Sequence, residues 1–249
     1  MKVCTWNIQL GLRLDRVLEA LRSVPDFAGL DLLCLQEASV HAGRQDAAVI
    51  AHTLGQGYGH FQATAQHRNG WEQGNALVWR RGTFEPGEPQ VVSLDTLVAG
   101  MTRAEQALLR AVPPQRRIAV RAESTELRVY VVHLDVIGFT HKLEQLKAVI
   151  TDMDARPGPP LTIVAGDLNT FGPPALQLWR RLDAEALGAG LVDVTRHIGR
   201  THWTAQKLDA IFVRSAARLR HRAWTVPLRA SDHHPVFAEL DFVDEAGSA

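Results

Sequence analysis

Residues 161–169 read LTIVAGDLN, and the organisation of the chain unfolds from this stretch. Leu161 to Ala165 are apolar but for Thr162, the composition of a strand buried on both faces. The run then turns polar at Asp167 and Asn169. Residues i and i+2 share one face of an extended chain, and Gly166 is expected to let the backbone approach a ligand closely. The same design recurs. KVCTWN ends at Asn7, LLCLQE ends at Glu37, and VYVVHLD carries His133. LDAIF follows with Asp209 at its start, and Ser231-Asp232-His233 precede the last strand. An α/β sheet gathers its ligands at strand ends, where side chains are rigidly placed yet reach a cleft.

Outward from these tips, the spacing predicts strands at Lys2–Ile8 and Leu30–Gln36. Others follow within Tyr58–Val92 (Asn75–Arg80 the clearest), at Ile118–Ala122, Leu127–Asp135 and Leu161–Ala165, and at Leu208–Arg214, Leu219–Val226 and Val236–Phe242. Helices are predicted over Leu12–Val24, stopped by Pro25, over Gly43–Leu54, over Phe139–Asp154, and from Pro173-Pro174 to about Leu187. Leu94–Pro114 interrupts the strands, with Thr102–Glu105 as a capping box opening a short helix. At about 20 residues it is longer than most connections in compact domains, so it is expected to border the active site and tune substrate choice. Repeats, low-complexity tracts and long linkers are all absent from the sequence, so one domain over 1–249 is expected. A dozen strands and four or five helices fit an α/β fold of two packed β-sheets with helices outside.

Composition bounds the function. The 249 residues are 46 % hydrophobic and 22 % charged, which excludes a disordered chain. No apolar run reaches the ~18 residues of a membrane span, and the N-terminus enters a strand pattern with no signal-peptide core, so a cytoplasmic protein is expected. Lys and Arg total 27 against 27 Asp and Glu, so there is no global basic field; a local patch would suffice for a nucleic-acid substrate. Cys4 and Cys34 lie inside apolar strand patterns and read as reduced core residues.

Singly, the polar tips have plain explanations. Asn7 would cap a turn, Glu37 would be the first exposed residue after a buried strand, His133 a satisfied half-buried histidine, Asp209 a turn residue. Their conjunction points elsewhere. Carboxylates and amides without cysteine suit Mg²⁺ or Mn²⁺, and a carboxylate beside an imidazole raises its basicity and fixes its tautomer. Such a set serves in-line attack of water on phosphorus. No GxxxxGK[ST] loop occurs, which disfavours nucleotide-driven phosphoryl transfer. His41, His52, His60, His67, His141, His197, His202 and His221 show no paired ligand spacing and are assigned to surface or packing; His234 should point away from His233.

TWN (Thr5–Asn7), LQE (Leu35–Glu37), GNAL (Gly74–Leu77), VHL (Val132–Leu134), GDLN (Gly166–Asn169), LDAIF (Leu208–Phe212) and SDHHPV (Ser231–Val236) occur in that order. Together they resemble the endonuclease/exonuclease/phosphatase superfamily of metal-dependent phosphoesterases, over residues 5–236. The resemblance implies a four-layer α/β sandwich with two mixed sheets face to face. It implies Glu37 as principal Mg²⁺ ligand, assisted by Asn7, with Asp232 near the metal. Asp167 and Asn169 would orient water and phosphate, and His233, oriented by Asp209, would transfer the proton. His133 would hydrogen-bond the phosphoryl oxygens. Asn75 and one of Arg116 or Arg117, with Arg117 carried forward, would face the phosphate. His133 stands where abasic-site endonucleases carry tyrosine, and Gln206-Lys207 stand where they carry a Trp-Arg pair, so poor abasic-site incision is expected. The histidine form resembles the deoxyribonuclease, sphingomyelinase, deadenylase and tyrosyl-DNA phosphodiesterase branches.

The leading expectation is therefore a Mg²⁺-dependent hydrolase of a phosphodiester, nucleic acid included. The alternative is a phosphatase or phospholipase-like hydrolase of a phosphorylated small molecule or lipid headgroup. A non-catalytic binding module of the same fold comes last.

Overall fold

The computed structural model describes residues 1–68, 70–94, 103, 107, 115–171 and 174–243. Its strands are β1 (Lys2–Asn7), β2 (Leu32–His41), β3 (Arg44–Gln45), β4 (Tyr58–Arg68), β5 (Trp71–Arg80), β6 (Gln90–Ser93), β7 (Ile118–Glu123), β8 (Leu127–His133), β9 (Leu161–Asp167), β10 (Val192–Asp193), β11 (Asp209–Ser215), β12 (Arg218–Thr225) and β13 (Val236–Val243). The helices are α1 (Leu14–Ser23), α2 (Asp46–Leu54), α3 (Phe139–Asp154) and α4 (Pro174–Gly188). One sheet runs β12-β13-β1-β2-β5-β4, with β3 paired to β2; the other runs β10-β11-β9-β8-β7-β6.

Strand alternation sorts the side chains into layers. Val3, Cys34, Leu77, Val129, Val131, Ile163 and Ile211 fill the space between the sheets. Their neighbours Cys4, Trp6, Leu33 and Leu35 point outward, onto Val17, Leu21 and Ile50 of α1 and α2. Tyr130, Val132, Val164 and Phe212 pack outward with Leu146, Val149 and Leu182 of α3 and α4. The result is the expected two-sheet α/β sandwich, with apolar faces buried on both sides of each sheet. Both cysteines are free and buried.

The topology gathers the strand tips at one end. β1 and β2 are parallel, with Asn7 opposite Gln36; β8 and β9 are parallel, with His133 opposite Asp167. β11 is antiparallel to β9 and starts at Asp209 opposite Asp167. β13 is antiparallel to β1 and starts at Val236 opposite Thr5. The loop carrying Asp232 and His233 is thereby delivered to the same end.

Several expectations need correction. β2 does not end at Gln36: it continues to His41, and Glu37 is the extra residue of a β-bulge between Gln36 and Ala38, at φ +54°. α2 starts at Asp46 rather than Gly43, because Arg44 and Gln45 fold back to pair with His41 and Val40. The two-residue strands β3 and β10 are too short to show a period. Gly166 makes room for a strand, not for a ligand: a Cβ there would sit 1.8 Å from the Val132 carbonyl oxygen of β8. The Leu94–Pro114 segment, with its capping box, lies outside the described residues apart from Leu94 and positions 103 and 107.

Candidate active site

Asp209 and His233 form the centre. His233 Nδ1 lies 2.9 Å from Asp209 Oδ2, and both residues are buried. This bond makes Nδ1 the donor and turns Nε2 toward Asp167 Oδ2, 3.5 Å away. Burial alone lowers the His233 pKa, but the charges of Asp209 and Asp167 and the Asp209 hydrogen bond overcome it and push it up to about 10. The backbone holds both partners. Thr201 Oγ1 accepts from the Leu208 and Asp209 amides. Ser231 Oγ donates to the Asn7 carbonyl, and Trp6 Nε1 donates to the His233 carbonyl. Trp6 and Ser231 are thus the pins that seat the last loop against β1.

Asp167 links this pair to the second half of the site. Its Oδ2 accepts from Asn7 Nδ2 at 3.0 Å, and its Oδ1 from the Asn169 amide at 2.8 Å. Asn169 has φ +50° and donates its side-chain amide to the Leu134 carbonyl, so it shapes the loop after β9. Burial, with the Asp209 charge adding to it, raises Asp167 to about 6. The Glu37 carboxyl is raised by burial and by the charge of Asp167, against the opposing pull of Arg117, His233 and the nearby Asn7 amide. The bulge explains why Glu37 reaches this point: an extra residue re-aims one side chain without ending the strand.

His133 completes the wall. Its Nε2 lies 3.7 Å from Asp167 Oδ2 and 4.0 Å from Glu37 Oε1. Arg117 Nη1 is 3.0 Å from His133 Nδ1. Nη1 is also 3.3 Å from Nε2; a guanidinium only donates, so the nearer nitrogen, Nδ1, is assigned as the acceptor and Nε2, which faces the Asp167 and Glu37 carboxylates, as the N–H. Burial and the Arg117 charge hold His133 well below the usual histidine range, so the ring is neutral. Arg117 is itself buried, bound to Asp135 Oδ1 at 3.1 Å and to Gln115. It supports His133 from behind. Arg116, by contrast, is exposed.

Asn75 is placed between the sheets. Its Nδ2 donates to the Ile118 carbonyl at 2.7 Å and the Val131 carbonyl at 3.3 Å, which uses both amide hydrogens. It clamps β5 to β7 and β8. Asn75→Ala is expected to cost about 1–3 kcal/mol, because two buried carbonyls lose their donor; urea unfolding measures it, and an unchanged midpoint would dissolve the clamp.

Asp232 is held beside His202 and Gln9. Asp232 Oδ2 accepts from Gln9 Nε2 at 3.0 Å and faces His202 Nε2 at 3.8 Å. His202, assigned above to surface or packing, stands with its ring centroid 4.6 Å from that of His233. No spacing motif marks it; only the pairing of residue 202 with residue 233 brings it in. His234 diverges from His233 as expected and borders a groove beyond Asp232.

Donor atoms of Asp167, Asp209 and His233 lie within 4.8 Å of one another, as do those of His202, Asp232 and His233. Asp209 Oδ1 is buried without a hydrogen-bond partner among the described residues. Glu37 and Asp167 are both held above the usual carboxylate range, by burial first, then by the charge of Asp167 on Glu37 and of Asp209 on Asp167. An oxygen-rich, carboxylate-crowded set of this kind fits a hard divalent cation such as Mg²⁺ or Mn²⁺.

A two-sheet sandwich with a buried imidazole–carboxylate pair and facing carboxylates at one end is an arrangement suited to hydrolysis of anionic esters. The chain belongs to the Endonuclease/Exonuclease/phosphatase family, whose model matches residues 4–233. Members of that family are phosphoester hydrolases and generally use divalent metals. No curated protein sequence matches the chain. Among solved structures, it is similar to an endonuclease/exonuclease/phosphatase family protein from Leptotrichia buccalis (15 % identity, TM-score 0.70, 97 % of this chain and 100 % of that one). It is also similar to a mannosyl-6-phosphatase from Bacteroides thetaiotaomicron (16 %, 0.68, 97 % and 100 %). D. rerio TDP2 complexed with single-strand DNA product is a third (15 %, 0.64, 97 % and 98 %). At these identities the likeness concerns the fold. No helix among the described residues is long and apolar enough to cross a membrane.

Proposed function

We propose that this chain is a divalent-cation-dependent phosphodiesterase in which His233, paired with Asp209, moves the proton. The observation that carries the reading is the 2.9 Å Asp209–His233 pair, with Nε2 turned into a cleft walled by Glu37, Asp167 and His133. Glu37 and Asp167, with Asn7 beside them, would hold Mg²⁺ or Mn²⁺. A bound cation supplies charge neutralisation and polarises the phosphoryl oxygen. His133, neutral with its Nε2–H toward the cleft, donates to a non-bridging oxygen as negative charge builds there. His233 exchanges a proton with the attacking water or the leaving oxygen, and Asp209 keeps its tautomer and stabilises its charged form. Asn169 shapes the loop that presents Asp167. Asp232 and His202 border His233 on the side where a leaving group or the rest of a diester would lie. The DNA-product complex of D. rerio TDP2 supports a diester on this scaffold; the wide groove beyond Asp232 favours it over a monoester.

The test is a panel of bis-p-nitrophenyl phosphate, p-nitrophenyl phosphate and a single-stranded oligonucleotide, assayed with Mg²⁺ or Mn²⁺. Diester turnover above monoester turnover is expected, and the reverse order would select the phosphatase reading. Excess chelator should abolish activity while the circular dichroism spectrum stays unchanged, because Asp167 and Asp209 are already held by hydrogen bonds from the protein itself. Full activity in chelator would remove the cation from the mechanism.

A further inference from the structure

Beyond Asp232 the structure holds a groove of about 680 Å³, and its walls carry Arg13, Arg16, Arg200 and Arg229. All four are exposed, and none is in an ion pair with a carboxylate among the described residues. The carboxylate that does line the groove, Asp232, is engaged by Gln9 Nε2 and faces His202. Arg13 and Arg16, three apart, share a face at the start of α1. Arg13 Nη1 donates to the Arg229 carbonyl at 3.2 Å, which ties the two segments together. Like charges brought together from three distant parts of the chain repel one another unless an anion lies among them. Trp203 lines the same groove and is 71 % exposed, although its backbone amide is anchored to the Asp232 carbonyl at 2.9 Å. An anchored loop that leaves a large aromatic face in solvent supplies a stacking platform.

From this combination we infer that the groove is a subsite for single-stranded nucleic acid. It takes the phosphates flanking the scissile diester on the arginines and a base on Trp203. The inference rests on the phosphodiesterase reading and extends it with a strand path leading away from His233 past Asp232. Guanidiniums match phosphate oxygens in fork geometry, and arginine interleaved with an aromatic is how single strands are held without regard to sequence. A compact phosphorylated small molecule would use the arginines and leave Trp203 idle.

The experiment measures binding without turnover, so its failure is distinct from failure of the hydrolase reading, which the diester panel decides. A fluorescein-labelled twelve-nucleotide thymidine strand is titrated with the protein in chelator, and anisotropy is followed from 0.05 to 0.3 M salt. Each phosphate neutralised contributes a slope of about −0.7 in log K against log salt. Arg13→Ala with Arg229→Ala should reduce the slope by about 1.4 and weaken binding about 25-fold at 0.1 M salt. Trp203→Ala should weaken it on the order of tenfold with the slope unchanged. The control is Arg218→Ala with Arg220→Ala, exposed on β12 and with the same change in net charge; it should retain wild-type affinity. Equal losses in the control, or wild-type affinity in the double variant, would overturn the subsite. If Trp203→Ala binds the strand as tightly as wild type, the groove is a polyanion site and the strand assignment falls.

Discussion

His233→Ala should lower kcat/KM on bis-p-nitrophenyl phosphate by roughly two to four orders of magnitude, the range of a positioned acid–base group. The companion result is more telling. Asp209 has one visible task, which is to accept from His233 Nδ1 at 2.9 Å. If it acts only through the ring, Asp209→Ala and the double variant should both fall near His233→Ala, because residues working as a unit are strongly non-additive. Losses that multiply would show that Asp209 has a second role, for which its unpartnered Oδ1 is the candidate atom. Asp209→Asn makes the distinction sharper: it keeps the shape but offers the ring a less basic acceptor, and it should still cost most of the activity. Circular dichroism of each variant separates a catalytic loss from a folding loss.

The second large effect is on stability. Gly166→Ala places a methyl group 1.8 Å from the Val132 carbonyl oxygen and 2.9 Å from Val132 Cγ2. The obstacle is backbone in the central parallel pair β8–β9, so no side-chain rotation relieves it, and the two strands must part where His133 faces Asp167. A loss of about 4 kcal/mol or more is expected, the range reserved for strain that the fold cannot absorb. For a chain of this length that is a fall of about 8–16 °C in Tm. Gly43→Ala is the comparison: its φ of +76° also disfavours a side chain, but nothing lies within 4 Å of the added Cβ. It should cost only about 1 kcal/mol. Equal melting temperatures for the two variants would show that strand proximity at Gly166 does not matter.

The prediction of weak abasic-site incision stands on different ground from its sequence argument. Gln206 and Lys207 replace the expected Trp-Arg pair, and Lys207 is turned inward, its Nζ 2.9 Å from Asp193 and 4.0 Å from the Trp179 ring centre. It is therefore committed to the structure rather than to a lesion. The balance of 27 basic and 27 acidic residues gives no global basic field, yet the fold assembles the four-arginine groove.

What the sequence determined by itself was whatever repeats with a local period or sits at a strand tip. Alternation in KVCTWN and VYVVH sorts side chains to two faces of a strand, which is enough to imply two buried sheets with helices outside. An abrupt change from apolar to polar marks where each strand surfaces, and it picked out Asn7, His133 and Asp167. Glu37 was legible as a polar residue but not as a bulge, since a bulge depends on what β5 offers opposite it. Asn75 and Arg117 were legible as polar residues near the site. Their tasks were not: whether an amide or guanidinium faces a ligand or a carbonyl behind the wall depends on the packing of the second sheet. Only the tertiary structure brought the His202 ring to 4.6 Å from that of His233, set Asp232 against Gln9, and gathered Arg13, Arg16, Arg200 and Arg229. The physical reason is the same in each case. Burial and strand period are encoded by neighbours in the chain, whereas charge clustering and hydrogen-bond partnership are set by chain closure, which joins residue 13 to residue 229 at no cost in local pattern.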